Sequence, residues 1–79
     1  MKSIIVFVRT EQNESELVTI QVQITMAKEV TADYDFLQSL GFKFNQIEAD
    51  YLRAEFQTPD YEKGIEVLDK LRVDGYIFE

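Results

Sequence analysis

Residues 58–75, TPDYEKGIEVLDKLRVDG, predict the helix around which the rest of the chain is organised. The hydroxyl of Thr58 can accept a hydrogen bond from a free backbone N–H, as helix N-caps do. Asp60 and Glu62 put negative charge near the positive end of the helix dipole. Gly75 tolerates the left-handed conformation that ends many helices. We therefore expect a helix that is capped by Thr58 and stopped at Gly75.

The larger side chains of this helix recur at helical spacing, which predicts one face that packs on a sheet. The expected stripe consists of Tyr61, Ile65, Leu68, Leu71 and Arg72, with Val67 on its flank. Gly64 is unusual, because an interior glycine costs about 1 kcal/mol of helix stability relative to alanine. It indicates a tight crossing over a side chain of the sheet. Alternatively, Gly64 is a position where the backbone closely approaches a ligand.

Two patterns near the N-terminus predict a pair of strands. Residues 3–9, SIIVFVR, form a continuous apolar run rich in β-branched side chains, which predicts a central strand with both faces covered. A polar connection at residues 10–15 suits a hairpin loop. Residues 16–27 then alternate. Val18, Ile20, Val22, Ile24 and Met26 are expected to point one way, and Thr19, Gln21, Gln23 and Thr25 the other.

A second helix and three further strands complete the expected order of elements. Thr31 is the predicted cap of this helix, and Gly41 its end. The strands are predicted at residues 42–44, 51–57 and 76–78, with a polar turn at residues 48–50. Ile47 fits neither alternation, so we expect a bulge or a shifted boundary there.

This order, ββαββα with a short final strand, predicts a single α+β domain over residues 1–79. We expect a two-layer sandwich in which an antiparallel sheet of 4–5 strands carries two helices on one face. By topology it is similar to ferredoxin-like plaits, and such a likeness implies a fold but no function.

A short repeated pattern suggests an internal duplication. Thr-x-Asp-Tyr followed by an acidic residue occurs at residues 31–35 and again at residues 58–62. A duplicated ββα unit, residues 1–41 and 42–79, would explain the repeat. Convergence is the alternative, because helix caps select these residue types.

The chain contains no Cys and no His, which excludes thiol nucleophiles, disulfides, imidazole bases and the usual zinc or haem ligands. Two pairs of carboxylates, Asp33 with Asp35 and Asp60 with Glu62, are the remaining candidates for metal binding or acid/base chemistry. Both pairs fall in predicted first turns of helices, where the dipole already favours acidic residues. We therefore expect no enzyme activity, no catalytic residues, no cofactor and no metal site.

The formal net charge is −7, with 8 basic and 15 acidic residues. Direct binding to nucleic acid is disfavoured, because it requires clustered Lys and Arg. A basic protein partner fits this charge better. The apolar run near the N-terminus is too short for a signal peptide or a membrane span, so we expect a cytoplasmic protein with no membrane partner.

Two groups of residues are candidate positions for contact with a ligand or a partner. Tyr34 and Tyr61, with the other tyrosines, suggest an aromatic platform, although tyrosines at the edge of a core are the common alternative. Thr19, Gln21 and Gln23 form a polar stripe that can bind a partner or simply face solvent.

Ile5 and Phe7 are the candidate self-association face. If alternate residues of the first strand meet the helices, Ile5 and Phe7 lie on the opposite side, uncovered. A symmetric homodimer would cover them by using the same patch twice.

The leading functional hypothesis is therefore a small acidic interaction or regulatory module, without enzyme activity, that self-associates through its sheet. One alternative is an acidic mimic of nucleic acid that inhibits a nucleic-acid-binding protein, as phage-encoded DNA mimics do. Its carboxylates should form a double row with phosphate-like spacing, whereas a generic acidic surface interleaves them with Lys and Arg. Another alternative is a small-molecule-binding domain with a pocket near Gly64.

Overall fold

The computed structural model describes residues 1–10, 16–26, 28 and 30–79. The described elements are β1 (Lys2–Thr10), β2 (Glu16–Ile24), α1 (Thr31–Leu40), β3 (Lys43–Ile47), β4 (Leu52–Thr58), α2 (Tyr61–Val73) and β5 (Ile77–Phe78). Their order and the α+β class agree with the prediction. Residues 11–15 of the predicted hairpin connection and Ala27 of the predicted second strand lie outside the described residues.

The strands form a mixed sheet in the order β3-β4-β2-β1-β5. Three pairings are antiparallel, but β5 lies parallel to β1, so the prediction of an antiparallel sheet is wrong at this strand. The parallel pairing arises because the chain crosses over through α2 before it returns beside β1. The predicted central position of β1 is also wrong. The centre belongs to β2, between β4 and β1.

The core lies on one side of β2. Val18, Ile20, Val22 and Ile24 are buried as predicted, and they continue into Ile4 of β1 and Leu52 of β4 through the strand register. The prediction for Met26 is wrong, since its side chain is 94% exposed. Thr25 pairs with Met1 through backbone hydrogen bonds, and Met26 then takes a positive φ of 56°, which ends the alternation.

Helix α2 begins later than predicted. Asp60 is its N-cap, and the Asp60 carboxylate accepts hydrogen bonds from the backbone N–H groups of Glu62 and Lys63 at 2.9 and 3.3 Å. Thr58 is the last residue of β4, and its hydroxyl accepts from the backbone N–H of Asp60 at 3.1 Å. The predicted cap at Thr58 is therefore wrong, because the carboxylate two residues later reaches the free N–H groups.

The buried face of α2 also differs from the predicted stripe. Gly64, Val67 and Leu71 are buried, Leu68 is half-buried, and Tyr61, Ile65 and Arg72 are exposed. The reason is Gly64. A Cβ at this position would lie 3.1 Å from Cγ1 of Val18, so the helix approaches the sheet on its glycine side. This approach turns Tyr61 and Ile65 outward.

Helix α1 ends as predicted but starts differently. Gly41 closes it at a φ of 97°, whereas Val30 is the N-cap and makes no side-chain capping bond. The prediction of Thr31 as cap is therefore wrong, and Thr31 is the first helical residue. Asp33 is the third residue of α1, but Asp60 precedes α2. The repeated pattern thus occupies different helix positions, and the duplication stays a prediction.

The expected irregularity near Ile47 is present in β3. The register between β3 and β4 shifts between Phe44 and Gln46, so Asn45 is an extra residue in a β-bulge. Ile47 itself pairs with Leu52.

Candidate interaction surface

The side of the sheet opposite to the buried residues of β2 carries the predicted contact positions. We call it the outer face. Its residues on β1 and β2 are Ser3, Ile5, Phe7, Arg9, Leu17, Thr19, Gln21 and Gln23, and those on β4 are Arg53, Glu55 and Gln57. The strand register brings together Ile5 and Phe7 with the polar stripe, on one continuous surface.

The polar stripe is linked by hydrogen bonds between neighbouring strands. The amide of Gln21 donates to Glu55 at 3.3 Å, that of Gln23 to the hydroxyl of Tyr51 at 3.3 Å, and that of Gln57 to the hydroxyl of Thr19 at 3.4 Å. These hydrogen bonds join side chains of neighbouring strands, and Thr19 is fully buried. A ligand or partner that used these groups would compete with the bonds between them, and the role of the stripe stays a prediction.

The charges of the outer face differ from those of the whole chain. Its charged residues in the paired strands are Arg9, Lys43, Arg53 and Glu55. Basic side chains therefore predominate on a face of a protein whose net charge is −7. The acidic groups lie mainly elsewhere, so a partner that meets this face does not have to be basic.

The predicted self-association residues sit at one end of the outer face. Ile5 is 43% exposed, and Phe7 is half-buried. The Arg9 guanidinium lies 5.5 Å from the centre of the Phe7 ring, a cation–π distance. Both residues thus reach the surface, and Phe7 lies next to a cation on its own strand.

The neighbouring residues of β1 are exposed on the other side of the sheet as well. Val6 is 37% exposed and Val8 is 50% exposed, although Ile4 on the same side is fully buried. The exposure of Val6 and Val8 was not predicted, because an apolar run of β-branched residues favours a strand covered on both faces. The only warning was that a chain of 79 residues has little material to cover two faces.

The backbone of β1 is unpaired over the same stretch. Met1 and Thr25 form a hydrogen-bonded pair, and such pairs alternate along an antiparallel ladder. Even-numbered residues of β1 therefore direct their N–H and C=O groups away from β2. Ile4 uses its C=O to accept from Glu79 at 3.0 Å, and β5 pairs only with Ser3 and Ile4. Among the described residues, no strand pairs with residues 6–10 on that side; we call this stretch the free edge.

The opposite edge of the sheet is built differently. β3 is 5 residues long, whereas β1 has 9. It carries the bulge at Asn45, and Lys43 and Gln46 point their polar side chains outward. Short length, a bulge and Lys are the usual means by which proteins protect an edge strand. The free edge has no bulge, Lys or Pro, and so it is the better surface for strand pairing.

A polar cluster fixes the other end of β1. The Lys2 ammonium lies 2.8 Å from Asp33 on α1 and 3.4 Å from Asp74 after α2, and the Tyr76 hydroxyl donates to Asp33 at 3.1 Å. Burial, together with the charge and hydrogen bond of Asp33, raises the pKa of Tyr76. Burial alone would lower the pKa of Lys2, but its contacts with Asp33 and Asp74 outweigh that effect and raise it. The cluster therefore joins β1 to α1 and to the segment after α2.

The tyrosines do not form one platform in the described structure. Tyr34 stacks on Phe44 with ring centres 4.5 Å apart, and Tyr76 is buried. Tyr61 is 52% exposed and donates to Glu16 at 2.8 Å, and this hydrogen bond raises the pKa of Tyr61. Each ring therefore has its own neighbours, in different parts of the fold.

One carboxylate of each candidate pair makes structural contacts. Asp33 belongs to the Lys2 cluster, and Asp60 caps α2. Across residues 1–10, 16–26, 28 and 30–79, no three acidic side chains converge in the manner of a metal site. Likewise, none of the described helices is both long and apolar enough to cross a membrane.

Gly64 is buried between α2 and β2, where it contacts Val18 and Thr58. Its position as a ligand contact stays a prediction. A separate depression of about 290 Å³ on the outer face is lined by Ser3, Ile5, Gln21, Val22, Gln23, Asn45, Arg53 and Ala54. It lies over the hydrogen-bonded stripe, on the other side of the sheet from Gly64.

Comparison of the chain with known protein families, characterised proteins and solved structures finds no match.

Proposed function

We propose that this protein is a non-enzymatic interaction module that forms a homodimer through its sheet. One observation carries the proposal: beyond Ile4, β1 exposes apolar side chains on both sides of the sheet. Fully burying an aliphatic side chain of this size is worth roughly 1.5–3 kcal/mol. Val6 and Val8 are only partly exposed, and burying the rest of their surface therefore provides a driving force for association.

The proposal includes a two-layer arrangement in which both helices cover one side of the sheet and leave the outer face bare. Its support is the alternating burial along β2 and the packing of Gly64 on Val18. The segment from β2 to α2 has the βαββα order found in ferredoxin-like plaits, which supports the fold analogy alone.

The absence of His and Cys from the chain supports a role without enzyme activity. The described contacts of the polar groups support it too. Asp33, Lys2 and Tyr76 satisfy one another, and Asp60 is a helix cap. These groups stabilise the fold and are not positioned around a cavity.

The surface of α2 does not favour the alternative of a nucleic-acid mimic. Glu66 lies 3.9 Å from Lys63 and 3.4 Å from Lys70, so acidic and basic side chains are interleaved along the helix. A phosphate-like double row of carboxylates would require the bases to be elsewhere. The small-molecule alternative places its pocket near Gly64, where the helix packs closely on the sheet: a Cβ there would lie 3.1 Å from Cγ1 of Val18.

The homodimer is tested by light scattering over a dilution series of the wild type and of two variants. We expect a dimeric mass at high micromolar concentration, and we expect Phe7→Lys to favour the monomer because it adds charge beside Arg9 at the exposed end of β1. Ile5→Lys tests whether the outer face outside the free edge also contributes to the dimer. A wild-type monomer, or a dimer that is indifferent to both substitutions, would contradict the proposal.

A further inference from the structure

The free edge has the right symmetry to bind a copy of itself. Its outward-directed backbone groups belong to Val6, Val8 and Thr10, with Val8 at the centre. On one side the edge is limited by β5, because Glu79 follows the Phe78 that pairs with Ile4. Residues 6–10 of two copies related by a two-fold axis can therefore pair with each other without using the C=O of Ile4, which accepts from Glu79.

We propose that a second copy pairs antiparallel with β1 at the free edge, with Val8 on the two-fold axis. This inference rests on the proposed homodimer and specifies how it forms. Val8 then faces Val8 of the second copy and Val6 faces Thr10, so that each outward N–H meets a C=O. The two sheets become one continuous sheet, a known mode of strand addition.

The register follows from the ends of the free edge. Moving the axis from Val8 to Phe7 would place Thr10 of the second copy against Ile4, where Glu79 already occupies the C=O. With Val8 at the centre, the pairs formed within residues 6–10 do not include Ile4. Pairing is then confined to the stretch in which β1 has no other described strand beside it.

Charge favours a second copy at this strand. Residues 1–10 include Lys2 and Arg9 but no acidic residue, although the chain as a whole has a net charge of −7. The pairing strands therefore bring no acidic side chain of their own into the contact. In the proposed register, Arg9 of each copy lies opposite Phe7 of the other. Arg9 and Phe7 already make a cation–π contact at 5.5 Å within one copy, and the same kind of contact would form between the two copies.

The absence of cysteine from the chain makes the register directly testable. In V8C, the two cysteines would have Cα atoms about 5.5 Å apart, which is within the range of disulfides. We expect mild oxidation of V8C at a concentration where the wild type is dimeric to convert most of the protein into a covalent dimer. Val8 is half exposed, so the substitution should not affect folding.

V6C is the matched control. Val6 is opposite Thr10 in this register, so its two copies would lie on the order of 14 Å apart and should not cross-link. The double variant V6C/T10C restores opposed cysteines and should cross-link through two bonds. Ile5→Lys should leave the dimer intact, because Ile5 lies outside residues 6–10.

The outcomes separate this inference from the proposed homodimer. A wild-type monomer overturns both, and would leave the edge for a strand of another protein. A wild-type dimer in which V8C and V6C/T10C fail to cross-link overturns the register alone. A dimer that Ile5→Lys dissociates but that does not cross-link at V8C indicates contact between outer faces, and also overturns it.

Discussion

The two ends of β1 have similar sequences but different surroundings. Ile4 is fully buried in the core, whereas Val8, on the same side of the same strand, is 50% exposed. The first end is held by β5, by the Lys2 cluster and by the core. The other end has only β2 beside it among the described residues. An apolar residue is thus part of the core at one end of the strand and stays partly exposed at the other.

The exposed end of β1 also lies at an edge of the sheet. A strand edge of exposed valines risks aggregation unless it is protected or has a defined partner. The β3 edge is protected by a bulge and by polar residues. The β1 edge lacks these protections, and a closed two-fold contact would remove it from solvent in both copies at once.

The largest expected effect is a difference in monomer stability between substitutions at the two ends of β1. Ile4→Ala should lower the free energy of unfolding by about 2–5 kcal/mol, because it opens a cavity in the core. Val8→Ala should cost less than about 1 kcal/mol, since half of its surface is already in water. Urea titrations at a concentration that keeps both variants monomeric provide the measurement. Equal losses at the two positions would mean that the ends do not differ as described.

The second prediction concerns association. Val8→Lys should raise the dimer dissociation constant about 100-fold, or about 2.7 kcal/mol, because it removes two apolar contacts and places like charges opposite each other. Val73→Lys is the matched control, a valine that is 90% exposed at the end of α2. Sedimentation equilibrium measures both constants. If Val73→Lys weakens the dimer as much as Val8→Lys, net charge governs association and the free edge does not.

Much of the fold was predictable from local patterns. The alternation in β2, the glycine at the end of each helix and the bulge near Ile47 each depend on a few neighbouring residues. The start of α2 was not, because Thr58 and Asp60 are both good caps and only the path of the chain decides between them. The buried face of α2 required knowing that Gly64 lies over Val18.

The candidate site was predicted in part for the same reason. The outer-face positions of Ile5 and Phe7 follow from alternation along the strand. The exposure of Val6 and Val8 does not, because it depends on where β5 stops pairing with β1 and on which strands α2 covers. Parallel pairing between the first and last strands involves residues at opposite ends of the chain, and local sequence patterns carry no signal for it.

The smallest expected effect concerns the Lys2 cluster at the anchored end of β1. The pKa of Tyr76 is raised by burial and by Asp33, and that of Lys2 is raised by its contacts with Asp33 and Asp74. A raised pKa means that the folded state holds its proton more tightly than the unfolded state. The stabilising contribution of Tyr76 is therefore complete below about pH 10, the pKa of unfolded tyrosine, and is lost as the pH rises further.

We expect the free energy of unfolding to fall by about 1.4 kcal/mol between pH 9 and pH 11 on account of Tyr76, since each pH unit above the unfolded pKa costs about that much. Tyr76→Phe should flatten this part of the curve, even though it also lowers stability at pH 9 by removing the hydrogen bond to Asp33. Tyr61→Phe is the control, because its phenol lies at the surface and should carry less of the slope. Urea midpoints between pH 8 and pH 11 measure the three curves. A Tyr76→Phe curve as steep as that of the wild type would show that the titration of Tyr76 does not cause the loss of stability at high pH.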